Sequence, residues 1–249
     1  MIKLGIFGDS FADGVCMWQE DGFQDVGPSW IEHLNLTGNY YIESWGKGGS
    51  DLFYSKKLFD QHYKKYDKII FVVTFVHGRT SVVSMEDGRD RFINPALVIE
   101  RKKQIRKNPD QYSDYEKKLL DASEQYFTVI EDREYLNLVH PLMVQDIKNK
   151  HQNTILLPVV SNSVPGYNYS NLADISMMEN KYFNLQKPAT RPDCFDARKC
   201  HMSEENNYIL SRKILEMLEG APVKLDINDF VLPTKDFAHY FRKHYWPFI

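Results

Sequence analysis

The sequence predicts an α/β fold with a mainly parallel sheet, because short strand-like segments alternate with segments of helical spacing. A short apolar run over residues 4–7 comes first, and the Gly-Asp-Ser sequence at 8–10 ends it. A second strand-like run covers 40–45, and residues 68–74 form a continuous run rich in β-branched side chains. Such a run is typical of a strand buried on both faces of a parallel sheet. The alternation is that of βαβ units.

Helix signals lie between and after these strands. Pro28 occupies the first turn of a predicted helix over 28–34, where proline is tolerated best. Ser50 and Asp51 are suited to the N-cap and the first turn of the next helix. Ser203, followed by two glutamates, predicts the start of a last helix that Gly220 ends.

Two prolines modify the elements of the second half. Pro141 predicts a kink or a restart within a helix over 136–150. Pro158 predicts that a fourth strand, over 154–160, is irregular or lies near a sheet edge.

The pattern divides the chain into a main domain over 1–220 and a C-terminal extension over 221–249 that is rich in aromatic residues. The extension is expected to pack on the domain or to meet a protein partner. Residues 81–134 interrupt the rhythm with charges of both signs and predict a helical insertion. A solvated helical surface is the favoured interpretation of this insertion, and a lid over a site is the alternative.

Composition excludes several classes of function. The 249 residues carry a net charge of −3, so no electrostatic footprint for nucleic acid or an anionic membrane is present. Cys16, Cys194 and Cys200 are too few and too irregularly spaced for a disulfide framework or a zinc site. No apolar run reaches the ~18 residues of a membrane span. We therefore predict no metal and no cofactor, and reduced thiols in a cytoplasmic protein.

Ser10 is the first candidate catalytic residue. It follows the first predicted strand, and ligands in open α/β sheets bind at the carboxyl ends of strands. Gly-Asp-Ser is also an ordinary turn sequence, so this signal alone is weak.

His201 is the second candidate, because it lies directly before the last predicted helix, far from Ser10 in sequence. A histidine there could act as general base to a serine on another loop of the same sheet edge. The alternative is a polar surface histidine, and seven other histidines are available.

The chain resembles the SGNH hydrolases, also called GDSL esterases and lipases. Three features match in order: Gly8-Asp9-Ser10 after the first strand, Gly46-Lys47-Gly48-Gly49 after the second, and His201 before the last helix. The resemblance implies a flavodoxin-like three-layer α/β/α sandwich, with Ser10 as nucleophile and His201 as base. It also implies that the backbone amides of Ser10 and Gly49 donate to the oxyanion.

The chain departs from the family where an asparagine usually follows the third strand as a further oxyanion donor. The loop here is Thr74-Phe75-Val76-His77-Gly78-Arg79. Thr74, His77 or Arg79 could donate instead, because an oxyanion requires donors and no particular side chain. Arg79 could also bind an anionic substrate group or form an ion pair with Asp9 or Asp51.

The family also places an aspartate three residues before the histidine, and this chain has Arg198 there, which accepts no hydrogen bond. Asp196 is the preferred triad acid and Asp193 the alternative, and a dyad without an acid is a third possibility. Asp9 is expected to bind neighbouring loop amides and not to transfer protons.

The function predicted from these features is that of a serine esterase. By family analogy its substrate is a small-molecule or carbohydrate ester, with an acyl group such as acetyl removed. The alternative is an inactive SGNH-like scaffold that serves as a binding or structural module, associated with a virion if the chain is phage-encoded. A phosphate binder that uses Gly46–Ser50 is a weaker third hypothesis, because no nucleotide-binding motif matches.

Overall fold

The computed structural model describes residues 1–13, 29–74, 80–83, 90–160, 162–176 and 202–231. Four parallel strands form its main sheet: β1 (Ile2–Gly8), β2 (Tyr40–Gly46), β3 (Lys68–Val73) and β6 (Thr154–Pro158). Their order across the sheet is β2-β1-β3-β6. The chain thus passes from β1 to a neighbour on one side and then returns to the other side. This is the flavodoxin-like order, and the carboxyl ends of β1 and β3 border the point where the direction of winding reverses.

Helices cover both faces of this sheet, which confirms the predicted three-layer α/β architecture. Along β3, Ile70 and Val72 face one core, and Ile69, Phe71 and Val73 face the other. This alternation follows from the period of two in a strand. Because both faces are covered, the strand is apolar and buried from Ile69 to Val73.

The helices of the first face are α1 (Trp30–Asn35) and α6 (Glu204–Leu218). They bury Trp30, Leu34, Leu210 and Ile214 against Leu4 and Ile6 of β1. The second face carries α2 (Leu52–His62) and α5 (Arg133–Lys150), which bury Leu52, Phe59, Val144 and Ile147. The site-bearing edge of the sheet therefore lies between two firmly packed layers.

Polar caps begin the helices close to that edge. Ser29 begins α1 with a capping box in which its hydroxyl accepts from the Glu32 N–H. Pro28, predicted in the first turn of this helix, lies outside the described residues, and the described helix begins at Trp30. The serine supplies the acceptor that orphan N–H groups require. Ser203 caps α6, as the sequence predicts. The cap of α2 is Asp51, one residue later than the predicted cap Ser50, whose hydroxyl instead donates to the carbonyl of Gly8.

The insertion contains the predicted helices and also two strands that the sequence analysis did not predict. Strands β4 (Thr80–Val83) and β5 (Asp90–Ile93) pair antiparallel, and helices α3 (Pro95–Lys107) and α4 (Asp114–Gln125) follow. A π-helical turn, Tyr126–Ile130, extends α4. Four residues are too few to show clearly the alternation of apolar and polar side chains by which a strand is recognised in a sequence.

The two prolines of the second half differ in their effects. Helix α5 continues through Pro141 without the predicted restart. Proline removes the hydrogen bond to the carbonyl of Asn137, but both residues are exposed, so water can bind that carbonyl. Pro158 lies in β6, which is an edge strand of the described sheet, as predicted.

Residues 221–231 cross the first core after α6. Leu225 and Phe230 are buried there. The side-chain amide of Asn206 donates to the carbonyl of Val231, and its Oδ1 accepts from the Val231 N–H. The aromatic residues of 232–249 lie outside the described residues, and so does the proposed partner contact of that tail.

His33 of α1 makes the stability of the first layer depend on pH. The side chain is buried beside Tyr208 of α6, with ring centroids 5.4 Å apart, and burial lowers its pKa from 6.5 to about 4. The unfolded chain then binds a proton between pH 6.5 and 4 that the folded chain does not. The contribution of neutral His33 to the free energy of unfolding is therefore fully present above the unfolded pKa of 6.5. It is lost as the pH falls toward the folded pKa of about 4.

We expect the free energy of unfolding to fall by about 2 kcal/mol more between pH 7 and pH 5 in the wild type than in His33→Gln. Urea unfolding of both proteins at the two pH values measures this difference. An equal change in the two proteins would contradict the assignment to His33.

Candidate active site

The turn after β1 is shaped by a glycine that no other residue can replace without strain. Gly8 has φ +149°, and a Cβ there would lie 2.6 Å from the Cβ of Val72 and 2.9 Å from its carbonyl oxygen. The chain therefore turns directly against the neighbouring strand β3. This places Ser10 at the carboxyl edge of the sheet, as the sequence predicts.

Asp9 stabilises this turn. Its carboxylate is fully buried and accepts from the Phe11 N–H at 3.0 Å, while its carbonyl accepts from the Ala12 N–H at 3.0 Å. The prediction that Asp9 binds loop amides is confirmed. The indole N–H of Trp30 also donates to the carbonyl of Phe11 at 2.7 Å, which ties the turn to α1.

The glycine loop after β2 presses against the turn that holds Ser10. A Cβ on Gly46 would lie 2.0 Å from both the carbonyl carbon and the carbonyl oxygen of Ala12, so only glycine fits. The hydroxyl of Ser44 donates to the same carbonyl of Ala12. The Lys47 N–H donates to the carbonyl of Gly8 at 3.2 Å. The two loops are therefore joined through their backbones.

Gly48 lies beside Ser10, and Gly49 follows it in the loop. A Cβ on Gly48 would be 4.0 Å from the Cβ of Ser10, and the Gly48 N–H donates to the Asp13 carboxylate at 3.2 Å. Gly49 has φ +80°, a conformation that favours glycine. Within the described part of the chain, no acceptor binds the Gly49 N–H. This donor is therefore available to a ligand.

Ser50 and Asp51 hold the glycine loop from its other end. The Ser50 N–H donates to the carbonyl of Lys47 at 3.0 Å, and its hydroxyl donates to the carbonyl of Gly8 at 3.3 Å. Asp51 accepts from the Tyr54 N–H at 2.7 Å and so begins α2 directly after the loop. The position of Gly49 is thus defined by bonds on both sides.

Asp51 also binds the insertion, a contact that sequence reasoning missed. Its Oδ2 accepts from the Ser81 N–H of β4 at 3.1 Å and from the Ser81 hydroxyl at 3.3 Å. Burial raises the pKa of Asp51, and these hydrogen bonds oppose that shift. The capping pattern could be found in the sequence, but nothing local indicates a bond to a residue thirty positions later.

Phe92 of β5 is the second residue that the sequence reasoning missed. Its Cβ lies 3.4 Å from the position that a Cβ on Gly49 would take. Its ring packs edge to face on Tyr54 of α2, with centroids 4.9 Å apart. The hairpin of the insertion therefore borders the glycine loop directly.

Thr74 lies at the carboxyl end of β3, next to β1 in the sheet. The residue is 1% exposed, and none of the described residues hydrogen-bonds its hydroxyl. Ser10, Gly49 and Thr74 thus belong to the carboxyl ends of β1, β2 and β3, three adjacent strands. Arg79, Asp196 and His201 lie outside the described residues, as do His77 and Asp193.

The described residues offer no place for a bound metal and no membrane span. Among them, no three histidine, cysteine, aspartate or glutamate side chains converge as metal ligands would. No helix in those same ranges combines the length and the apolar character needed to cross a bilayer.

A parallel sheet covered on both faces, with a serine turn and a glycine loop at its carboxyl edge, defines an α/β protein with a candidate active site. No family model matches this chain, and neither does any curated protein.

Solved structures with a similar arrangement include a lipase/acylhydrolase from Enterococcus faecalis, at 13% identity and a TM-score of 0.34, covering 94% of this chain and 100% of that one. A member of the lipolytic G-D-S-L family from Veillonella parvula is 11% identical with a TM-score of 0.35, covering 89% of this chain and 100% of that one. A variant of an acetyl xylan esterase from Geobacillus stearothermophilus is 14% identical with a TM-score of 0.35, covering 90% of this chain and 97% of that one. Likeness at this level assigns no activity to this chain.

The contact between Gly46 and Ala12 predicts a large difference between neighbouring glycines. We expect Gly46→Ala to lower the free energy of unfolding by about 3 kcal/mol or more, because the new methyl group would overlap backbone atoms. Gly48→Ala is the matched control, since its Cβ would meet its nearest neighbour at 3.6 Å, an ordinary contact. Urea unfolding measures both, and equal effects of the two substitutions would contradict this packing.

Proposed function

We propose that this chain is a serine-dependent hydrolase of carboxylic esters, with Ser10 as its nucleophile. The observation that supports this most directly is the N–H of Gly49, which none of the described residues binds, in the loop that packs against the Ser10 turn. A backbone N–H held in this way on a loop beside a serine turn suits the stabilisation of a developing oxyanion. An ordinary turn serine has no need of such a donor.

The proposed reaction has two steps. The Ser10 hydroxyl attacks the ester carbonyl carbon while His201 removes its proton, and the N–H groups of Gly49 and Ser10 bind the oxygen that becomes negative. His201 then gives the proton to the leaving alcohol, and an acyl-enzyme remains. Water, deprotonated by His201, attacks this acyl-enzyme and releases the acid and free Ser10.

The remaining site residues have supporting roles in this proposal. Asp196 orients the His201 ring and stabilises its protonated form. Thr74 replaces the missing asparagine as the third oxyanion donor. It directly follows β3, and β3 lies next to β1, the strand that leads to Ser10. Arg79 binds an anionic part of the substrate. The resemblance to SGNH hydrolases implies acetyl groups on a carbohydrate as substrate, although the chemistry itself requires only an ester.

A fluorophosphonate probe tests the nucleophile, because it reacts with activated serines only. We expect labelling of the wild type and of Ser113→Ala, which removes a helix cap in the insertion, but no labelling of Ser10→Ala. In ester hydrolysis, Ser10→Ala should lower kcat/KM by about 10⁴-fold or more. A folded wild type that takes no label would contradict the proposal and favour the non-catalytic scaffold.

Thr74 provides a separate test of the oxyanion site. We expect Thr74→Val to lower kcat by about 10²–10³-fold, because valine has the same shape and no donor. Thr74→Ser keeps the hydroxyl and should retain most of the activity. Thermal unfolding of both variants controls for stability, and full activity of a folded Thr74→Val would exclude this role.

A further inference from the structure

The insertion contains a cavity that borders the proposed active site. It has a volume of about 260 Å³ and lies between β5, α3 and α4. Its wall is formed largely by apolar side chains: Phe92, Ile93, Leu97, Leu119 and Leu120. Sites for drug-sized ligands span roughly 300–1,000 Å³, so this cavity fits one part of a substrate.

Phe92 lies between the cavity and the glycine loop that contains Gly49. The residue lines the cavity and also lies 3.4 Å from the Cβ position of Gly49, which follows Gly48 beside Ser10. A substrate carbonyl held by the Gly49 N–H would therefore lie near the cavity wall. On the basis of the proposed function, we propose that this cavity binds the acyl chain of the ester, and that the chain is apolar and longer than acetyl.

The two-step reaction favours the acyl chain over the alcohol as the occupant. The alcohol leaves after the first step, whereas the acyl chain stays bonded to Ser10 until water releases it. A cavity whose wall contacts the glycine loop therefore serves the acyl chain in both steps.

The distribution of charge agrees with an apolar occupant. The charged residues that line the cavity are Arg91, Arg101 and Glu116, and all three are exposed, which places them at its solvent side. The buried or half-buried part of the wall is apolar apart from Tyr112 and Tyr115. The Tyr112 hydroxyl already donates to Gln104 at 3.1 Å. A sugar ring would instead require several polar groups that converge on it.

The test compares hydrolysis of p-nitrophenyl acetate, butyrate, hexanoate and octanoate. We expect kcat/KM to rise roughly fourfold for each methylene that enters the cavity, with hexanoate well above acetate. Leu119→Trp, which fills the cavity, should lower kcat/KM for hexanoate at least tenfold and leave acetate within twofold. Leu119→Ala, which enlarges the cavity, should move the optimum toward octanoate.

Leu142→Trp and Leu142→Ala are matched controls, because Leu142 is 69% exposed on α5 and does not line the cavity. Both should leave the chain-length profile unchanged. A wild type that prefers acetate, or a profile that Leu119→Trp does not alter, would overturn the inference while leaving the ester hydrolase proposal intact.

A binding measurement separates failure of this inference from failure of the proposed function. Saturation-transfer NMR with hexanoate requires no turnover and can use Ser10→Ala. We expect a hexanoate signal with Ser10→Ala that disappears in Ser10→Ala/Leu119→Trp. Equal signals from the two proteins, or no signal from either, would contradict a cavity that binds acyl chains, whether or not the wild type hydrolyses esters.

Discussion

The close backbone contact between the ends of β1 and β2 is the constraint on which the candidate site depends. Gly8 and Gly46 are paired in the parallel register of these strands, and neither position has room for a Cβ. Gly8 turns against β3, and Gly46 lies on the carbonyl of Ala12. Because two side chains are absent at one level of the sheet, the serine turn and the glycine loop can meet without an intervening layer of atoms.

The strand order of the sheet brings a third loop next to this contact. In the order β2-β1-β3-β6, β1 is flanked by β2 and β3, so the loops that follow these three strands share one edge. Side chains of both cores hold β1 and β3 in place, and Asp9 and Trp30 bond the turn between them. The groups proposed to act in catalysis are the Ser10 hydroxyl, the Gly49 N–H and the Thr74 hydroxyl. All three belong to the backbone or to short side chains, and the backbone brings their loops to one edge of the sheet.

The parts of the molecule that could be predicted are those with a local signature. Continuous apolar runs identify buried parallel strands, and Ser203 shows the acceptor that a helix start requires. Gly8-Asp9-Ser10 and the glycine loop were found as motifs, and the fold brings them together. Asp9 also bonds as its position beside the turn indicated.

The remaining features depend on contacts between distant segments and leave no local pattern. Residues 80–83 and 90–93 are strands because they pair with each other and with the site, through Ser81 to Asp51 and Phe92 to Gly49. Many charged residues lie next to these strands in the sequence, so no strand pattern is evident there. Pro141 shows the opposite error: its local preference is to break a helix, but packing of Val144 and Ile147 in the second core stabilises the helix beyond it.

Asp51 links the glycine loop to the insertion through hydrogen bonds. It caps α2, which begins three residues after Gly49, and the same carboxylate binds the backbone and the hydroxyl of Ser81. Its negative charge extends further, because it contributes, after burial and Glu131, to the raised pKa of Tyr126 at the end of α4. If the insertion holds a substrate group as proposed, that group is positioned relative to the Gly49 N–H by a short path of hydrogen bonds. Fixed distances of this kind allow binding energy from a remote part of a substrate to orient its reacting carbonyl. The proposed activity therefore depends on the bond between Asp51 and Ser81, and a variant that loosens it would weaken substrate orientation without changing any reacting group.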